Sequence, residues 1–422
     1  MWAFIQNKDN CVFFRFWLAQ MISQFGDRVH QMALVGLIAA RHPGSPLELA
    51  KLLAFTIIPV FIIGPVAGVF VDRWDRRTTL FICDFIRGFL VLGIAFYIMD
   101  IPSIIPLYVV VFAIFAFSRF YVPAKMSIIP QMVRQEDLHI ANSLVTTTGM
   151  IALVLGALLG GLIVEYAGSR GGFFWDAATF FMSGLLVFSM SGFRRSRINV
   201  SPRKFVAVGK EMLTAQKDVW TEINEGIAYI SDQPRLRFIF MMMSVLFAAA
   251  GAIYVIIIVF VQETFGTVTR DLGFLAVPLG AGLFLGSLAY GKWGGRVSKW
   301  KMIFWSLILG GLMVALFAVG AQGTHDRFLA MALSFVIGLS ISPAVIAANT
   351  VVHEVCSSQM SGKVFSALEF VMHLAFLAAM LTASYCAQQV GRMWILMAVG
   401  GIFIGVGLIG LIKFRGIKGD LS

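Results

Sequence analysis

A stripe of polar side chains interrupts the first apolar segment of the chain, residues 13–38. Its members recur at helical spacing, and they are Gln20, Gln24, Asp27 and Gln31. An ionised side chain within a membrane-spanning helix costs at least ~2.5 kcal/mol on insertion scales, so this stripe must face a cavity or other helices rather than lipid. We predict that Asp27 exchanges a proton or binds a ligand, with Gln24 and Gln31 beside it. The alternative is that Asp27 is structural and that a cation neutralises it. Arg28 is a poor partner for this, because adjacent side chains on a helix point apart.

Further ionisable residues lie in other apolar segments. Arg119 is predicted to pair with a carboxylate from another helix or to anchor an anionic group, and Lys125 to belong to a gate nearer the cytoplasm. Glu369 and His373 are four residues apart on one predicted helix face. They could relay a proton, because histidine titrates near neutral pH, or they could make a packing contact. Asp176 opens an apolar segment, where an acidic residue is expected to cap a helix.

A second group of residues surrounds the end of the second apolar segment. Gly64 and Gly68 share a helix face and would let a neighbouring helix approach closely. Asp72, at the helix end, can pair with a basic side chain or face a helix N-terminus, and Asp84 and Arg87 can pair on the next helix. We interpret the group as a conformational latch, with a solvated charge run as the alternative. Its residues are Gly64, Gly68, Asp72, Arg73, Arg76, Arg77, Asp84 and Arg87.

The composition indicates that membrane-embedded helices carry these residues. Of 422 residues, 59% are hydrophobic and 13% are charged, whereas soluble domains carry about 25% charged residues. The outer surface must therefore contact the lipid bilayer. The net charge of +11 is concentrated in alternate loops, which is the pattern that orients membrane proteins rather than one that binds nucleic acid. We predict an all-α membrane protein with both termini in the cytoplasm and no nucleic-acid partner.

A membrane span needs ~20 mostly apolar residues, and the chain has twelve such segments. They lie near 13–38, 47–71, 79–99, 103–124, 138–167, 172–192, 236–263, 270–291, 301–321, 327–350, 361–389 and 392–413. A polar stretch divides them into two halves. The predicted domains are an N-terminal six-helix bundle, a cytoplasmic linker and a C-terminal six-helix bundle, at 1–192, 193–234 and 235–422. In the linker, apolar residues at helical spacing predict an amphipathic helix, and they are Trp220, Ile223, Ile227 and Ile230.

Several motifs resemble those of one transporter family. The run from Gly68 to Arg77 resembles the loop between the second and third helices of the major facilitator superfamily. Other motifs are similar to its macrolide-efflux and enterobactin-exporter branch, and also to bacterial lysophospholipid transporters. They are Phe25-Gly26-Asp27, Pro123-Ala124-Lys125, Asp176-Ala177 and Gly362-Lys363-Val364-Phe365.

The resemblance implies two pseudo-symmetric six-helix halves and secondary active transport by alternating access. It predicts a monomer in a bacterial inner membrane that exports a small amphipathic compound, such as a drug, siderophore or metabolite, in exchange for protons or another coupling ion. A lysophospholipid flippase is the alternative, and a receptor that does not transport is an alternative of another class. Ala157 stands where exporters of this family commonly have proline, so the direction of coupling stays open.

Other functions lack their motifs in this sequence. No GxxxxGK[ST] loop, HExxH motif or GxSxG motif is present, so we predict neither ATP-driven transport nor an enzyme. The four cysteines form no CxxC or Cys/His cluster. No cofactor or metal site is therefore predicted.

Overall fold

The computed structural model describes residues 10–190, 220–355 and 360–417. Within these ranges the chain is built from helices and contains no strand. The helices are α1 (Cys11–Arg41), α2 (Pro46–Ile62), α3 (Gly64–Arg73), α4 (Arg76–Phe96), α5 (Ile105–Ile128), α6 (Leu138–Phe188), α7 (220–232), α8 (Pro234–Phe265), α9 (Arg270–Trp293), α10 (Lys299–Thr324), α11 (Arg327–Val355), α12 (Ser361–Val390) and α13 (Arg392–Ile417).

Nine helical segments of the described chain are long and apolar enough to cross a membrane. Helices α1 and α2 are not among them. The polar stripe interrupts α1, and α2 has 17 residues. The all-α membrane fold is confirmed, whereas the count of twelve spans stays a prediction.

Helix α6 contains a sharp bend that separates two predicted spans. Gly168 has a φ of 70° and a ψ of 171° inside this 51-residue element. Residues with a Cβ rarely adopt a positive φ, whereas glycine does so without steric cost. The bend lies between the predicted spans 138–167 and 172–192, so a break at this point is confirmed.

The predicted span 47–71 is divided into α2 and α3, which the sequence analysis did not anticipate. Helix α3 begins at Gly64, with Ile63 at its N-cap position and Pro65 in its first turn. Proline has no N–H to donate, and its ring clashes with the carbonyl group four residues earlier. A continuous helix across this position is therefore disfavoured.

Internal contacts divide the chain into two compact units. Unit 1 contains the described residues within Met1–Arg41, Leu52–Trp220 and Val268–Gly273. Unit 2 contains those within His42–Lys51, Thr221–Thr267 and Phe274–Ser422. The three-part division of the sequence stays a prediction.

Small residues set the position of α1 in unit 1. A Cβ added at Gly160 of α6 would lie 3.0 Å from the Cα of Val29, and one at Gly156 would lie 2.9 Å from the Cβ of Arg28. Gly156 and Gly160 thus give α6 a small-residue surface against α1, although alanine stands at position 157 in place of proline. Because the backbones approach this closely, α1 is held along α6 with its polar stripe in a defined direction.

An apolar cluster in unit 1 packs the ends of α1, α3, α4, α5 and α6 together. Its largest fully buried members include Phe13, Phe16 and Leu80. These side chains fix the helices from which the polar residues project.

In unit 2, α7 is amphipathic as predicted. Ile223 and Ile230 are buried, and Lys363 on α12 forms an ion pair with Glu225. A Cβ at Gly226 would collide with the backbone carbonyl of Lys363. The apolar face of α7 therefore packs directly on the start of α12.

Candidate functional site

Unit 1 encloses a cavity of about 230 Å³ between α1, α4, α5 and α6. Helix α1 supplies the polar stripe, and α4 supplies Arg87. Helix α5 supplies Arg119 and Lys125. Apolar side chains complete the wall, and they are Ile114, Phe115, Val122 and Phe180.

The stripe of α1 faces this cavity, as its spacing predicted. Gln24, Asp27 and Gln31 all line it, together with Gln20. The Asp27 side chain is 43% exposed, and its Oδ1 lies 3.9 Å from Nη1 of Arg87. The roles of these residues in coupling or binding stay predictions.

Arg87 is buried in the cavity wall and, counting Asp27 of α1, has partners on four helices. It forms an ion pair with Asp84, and Ser183 Oγ donates to the other Asp84 oxygen at 2.7 Å. Its guanidinium lies 4.4 Å from the ring centroid of Tyr121 and 4.3 Å from that of Phe180. The predicted Asp84–Arg87 pair is confirmed and Arg87 lines the cavity, whereas the part of the pair in a latch stays a prediction. Arg87 follows Arg76 by eleven positions on α4, so the two residues are roughly 16 Å apart along the helix axis.

A buried histidine and aspartate join α1 to α6, and the histidine also lines the cavity. His30 Nδ1 lies 2.8 Å from Asp176 Oδ2, and both side chains are almost completely buried. The ring of Phe173 meets the imidazole edge-on at 5.5 Å. Asp176 was expected to cap a helix, and this is wrong, because it lies in the interior of α6 beyond the bend at Gly168.

Lys125 was predicted to belong to a gate, and no contact between His30 and Asp176 was predicted. The structure instead brings Lys125 into the cavity wall. The available signal for His30 was its position three residues after Asp27 in the same apolar segment. Nothing in the spacing along α1 identified a partner on α6.

The predicted close approach at Gly64 and Gly68 is absent from the described part of the structure. Among the described residues, a Cβ added at either glycine would have no atom of a neighbouring element within 4 Å. The buried face of α3 is formed instead by Val66, Ala67, Phe70 and Val71. The glycines lie off that face. The side chain of Asp72 is outside the described part of the structure.

Arg77 binds the end of α6 instead of forming an ion pair in the described structure. Its Nε donates to the carbonyl oxygen of Val187 at 3.1 Å, and its Nη2 donates to that of Phe188. These carbonyl groups belong to the last turn of a helix, where a cation is favoured. Arg73 is exposed and Arg76 is partly buried, so the latch role of this loop stays a prediction.

Asp75 is a loop residue that the sequence analysis missed. Its Oδ1 accepts hydrogen bonds from the backbone N–H of Thr78 at 2.8 Å and from the Thr78 hydroxyl at 2.6 Å. It is therefore the N-cap of α4, and it fixes the start of the helix that carries Arg87.

Glu369 and His373 belong to unit 2 and not to the cavity of unit 1. His373 Nδ1 lies 2.8 Å from the backbone oxygen of Glu369. Glu369 itself is exposed. The imidazole is thus bound to a carbonyl group within α12 rather than to the carboxylate.

Comparison with known proteins identifies the family of this protein. The sequence matches the profile of the Major Facilitator Superfamily over residues 16–380. The chain belongs to the Major Facilitator Superfamily. It is therefore a multi-pass membrane transporter with a small-molecule substrate, and its family is one of transporters rather than of enzymes.

Full-length relatives support the resemblance to efflux proteins. The uncharacterized MFS-type transporter YfiS of Bacillus subtilis is 24% identical, over 93% of this chain and 91% of the relative. Macrolide efflux protein A of Streptococcus pyogenes is 20% identical, over 96% of each chain. The solved nucleoside transporter NupG has a TM-score of 0.72 at 12% identity, covering 96% of this chain and 99% of its own. That last likeness concerns the fold alone.

Proposed function

We propose that this transporter is a proton-coupled exporter of small amphipathic compounds in a bacterial inner membrane. The observation that carries the proposal is the partly exposed carboxylate of Asp27, which lines the cavity of unit 1 and belongs to a predicted membrane-spanning helix. A carboxylate inside a membrane protein is costly to keep, so it needs a function that compensates for this cost.

The surroundings of Asp27 suit a group that is charged in one step and neutral in the next. Its carboxylate lies 3.9 Å from Arg87, close enough for the two charges to attract each other. Protonation removes the negative charge of Asp27 and weakens this attraction. Proton binding and ligand binding at Asp27 therefore compete, as antiport requires.

The walls of the cavity suit an amphipathic substrate. Gln24, Gln31 and Ser118 present hydrogen-bonding groups, and Phe115 and Phe180 present apolar surface. A small number of polar groups in an apolar pocket is the usual composition of a small-molecule site. The efflux relative supports the outward direction of transport.

We also propose that the loop between α3 and α4 acts during the cycle. Asp72, Arg73, Arg76 and Arg77 lie together in sequence at the junction of the two helices. Exchange of charged partners in this loop would accompany alternating access, with the protein acting as a monomer and both termini in the cytoplasm.

Transport by purified protein in liposomes tests the coupling. Liposomes with an acidic interior in a neutral buffer should accumulate erythromycin or another small amphipathic compound, and nigericin should abolish the accumulation. Asp27→Asn should reduce the gradient-driven rate at least tenfold. Glu136→Gln, which removes an exposed carboxylate in the same unit, should keep the parent rate. Protein-free liposomes correct for passive trapping of weak bases.

The same experiment separates the alternatives. Full gradient-driven transport by Asp27→Asn would contradict the assignment of Asp27 as the coupling residue. Movement of a lysophospholipid alone would indicate a flippase. Ligand binding without flux of any tested compound would indicate a receptor.

A further inference from the structure

Arg87 connects the buried interior of unit 1 with the cavity, and its position is fixed. Its side chain is only 3% exposed, and each nitrogen of its guanidinium group has a partner. Nε donates to the carbonyl oxygen of Cys83 at 3.3 Å, and Nη1 donates to Ser118 Oγ at 3.4 Å. Nη2 donates to Asp84 Oδ1. These hydrogen bonds hold the guanidinium group in one orientation.

Asp84 anchors this arrangement. Its side chain is fully buried, and its Oδ2 accepts a hydrogen bond from Ser183 Oγ at 2.7 Å. The rings of Tyr121 and Phe180 lie 4.4 Å and 4.3 Å from the guanidinium carbon of Arg87. Moving Arg87 away from Asp84 would leave a buried carboxylate without its cation, which is strongly unfavourable. Arg87 therefore stays with Asp84.

Asp27 approaches the other end of the same guanidinium group. Its Oδ1 lies 3.9 Å from Nη1 of Arg87, which is too long for a hydrogen bond but close enough for the two charges to attract each other. The Asp27 side chain is 43% exposed, whereas that of Asp84 is 0% exposed. Arg87 thus binds the buried carboxylate directly and stabilises the exposed one only in part.

Other charged and titratable groups belong to the helices around Asp27. They are Arg28 and His30 of α1, Arg119, Tyr121 and Lys125 of α5, and Asp176 of α6, which contacts His30. Substitution of Asp84 or Arg87 leaves all of these groups in place. A difference between such variants therefore reports the effect of the pair on Asp27.

We propose, as a refinement that rests on the proposed function, that Asp84 and Arg87 together set the proton affinity of Asp27. Arg87 stabilises the charged form of Asp27. Asp84 limits this effect, because it neutralises Arg87 and holds it out of hydrogen-bonding distance, so that Asp27 can both lose and regain a proton. Asp84 is thus a positioning residue, and it acts on Asp27 through Arg87.

The two members of the pair should have opposite effects on Asp27. Asp84→Asn removes a negative charge and leaves the full charge of Arg87 to act on Asp27, so Asp27 should bind a proton less readily. Arg87→Met removes the stabilising cation, so Asp27 should bind a proton more readily. A pair that only held the helices together would not produce opposite signs, because either substitution breaks the same contact.

Carbodiimide labelling measures the proton on Asp27 without any substrate. Dicyclohexylcarbodiimide reacts with the protonated form of a carboxyl group in an apolar environment, and mass spectrometry of peptides locates the product. The purified protein in nanodiscs is labelled between about pH 5 and pH 9, with a correction for decay of the reagent at each pH. We expect the midpoint of labelling at Asp27 to fall by about one pH unit in Asp84→Asn and to rise by about one pH unit in Arg87→Met.

A conservative variant guards against loss of the fold. Arg87→Lys keeps a cation beside the buried Asp84 but lacks the second arm of the guanidinium group that faces Asp27. Its midpoint should lie between those of the parent and Arg87→Met. Only protein that elutes as a single species in size-exclusion chromatography is labelled. If Arg87→Met cannot be purified, the upward shift is tested with Arg87→Lys.

Charge changes outside the cavity provide the controls. Arg134→Gln and Glu136→Gln each remove one exposed charge of unit 1 and should leave the midpoint at Asp27 unchanged. The inference fails if the Asp84 and Arg87 variants shift the midpoint in the same direction, or if neither shifts it. It also fails if Asp27 is not labelled at any pH, since Asp27 then binds no proton in this range.

Transport in liposomes keeps this inference separate from the proposed function. Opposite shifts at Asp27 without any gradient-driven transport would overturn proton-coupled export and retain the role of the pair. Gradient-driven transport that requires Asp27 but is not accompanied by opposite shifts would retain export and overturn the role of the pair.

Discussion

Helices α1 and α12 each carry a carboxylate and a histidine, three residues apart on α1 and four apart on α12, yet the surroundings of the two pairs differ. On α1, Asp27 approaches Arg87 of α4, and His30 contacts Asp176 of α6. On α12, His373 is bound to a backbone carbonyl group of its own helix. The comparison teaches that spacing on one helix suggests a pair, whereas packing against other helices supplies the partner that makes a site.

The difference follows from how closely each polar face is packed. Helix α1 approaches α6 so closely that an added Cβ at Gly160 would lie 3.0 Å from backbone. Polar groups enclosed by such packing lose water and must find protein partners. Glu369 is exposed, and an exposed carboxylate has no such requirement. Buried polar residues in unit 1 should therefore be sensitive to substitution, and Glu369 and His373 should not.

The largest effect is expected when the buried ion pair of unit 1 is broken. Arg87→Met would leave the Asp84 carboxylate buried without its cation, which typically costs about 3–5 kcal/mol of stability. In a Cys356→Ser background, the melting temperature can be followed with a thiol-reactive dye that labels buried Cys83 on unfolding, over a constant signal from exposed Cys11 and Cys386. Arg134→Met, at an exposed position, should melt like the parent.

A double variant sharpens this result. Replacing both members of the pair, as in Asp84→Asn combined with Arg87→Met, should recover at least half of the lost melting temperature, because no charge is then buried alone. If Arg87→Met melts with the parent, the pair does not hold this wall together.

The sequence alone predicted the direction of the polar stripe but not its partners. Asp27 and its neighbours had to face away from lipid, because the cost of an exposed charge in a membrane is large and independent of the detailed fold. The contact between His30 and Asp176 depends on the rotation and axial offset of α1 against α6, and neither can be read from spacing within one helix. For the same reason, the Asp84–Arg87 pair was predicted correctly, but the place of Arg87 in the cavity wall was not.

The fold shows the same division between local and non-local information. The break near Gly168 was predictable because two apolar runs meet there, and the interruption before Pro65 follows from the chemistry of proline. The two glycines of α3 were misinterpreted. Their spacing indicates that they share a face, but only the packed structure shows that Val66 and Phe70 form the buried one.

A smaller effect is expected from separating the buried histidine and aspartate. His30→Phe keeps an aromatic ring but leaves Asp176 without a partner, which we expect to cost about 1.5–3 kcal/mol. His30→Phe combined with Asp176→Leu should be closer to the parent than the single variant, since both polar groups are removed together. The measurement is again the melting temperature, and His373→Phe is the matched control in unit 2. Equal effects of His30→Phe and His373→Phe would remove the distinction between the two helices.

The close packing that encloses the polar residues can be tested with paired glycines. Gly160→Ala places a methyl group 3.0 Å from the Cα of Val29, and overpacking of this kind typically costs about 1–3 kcal/mol. Gly93→Ala on α4 is the control, because its Cβ would meet open space. There alanine should stabilise the helix by up to about 1 kcal/mol. Melting temperatures that move in the same direction would contradict the close contact.

The smallest effect is expected at the pair in unit 2. Glu369→Gln and His373→Phe should each keep the gradient-driven transport rate within about twofold of the parent, because exposed substitutions usually change stability by less than about 0.5 kcal/mol and the carboxylate does not hold the ring. The liposome assay that tests Asp27→Asn measures both variants, and Glu136→Gln again sets the scale for an uninvolved carboxylate. A tenfold loss in both variants would establish the proton relay predicted from their spacing. It would also require the His373 ring to leave the carbonyl group of Glu369 during the transport cycle.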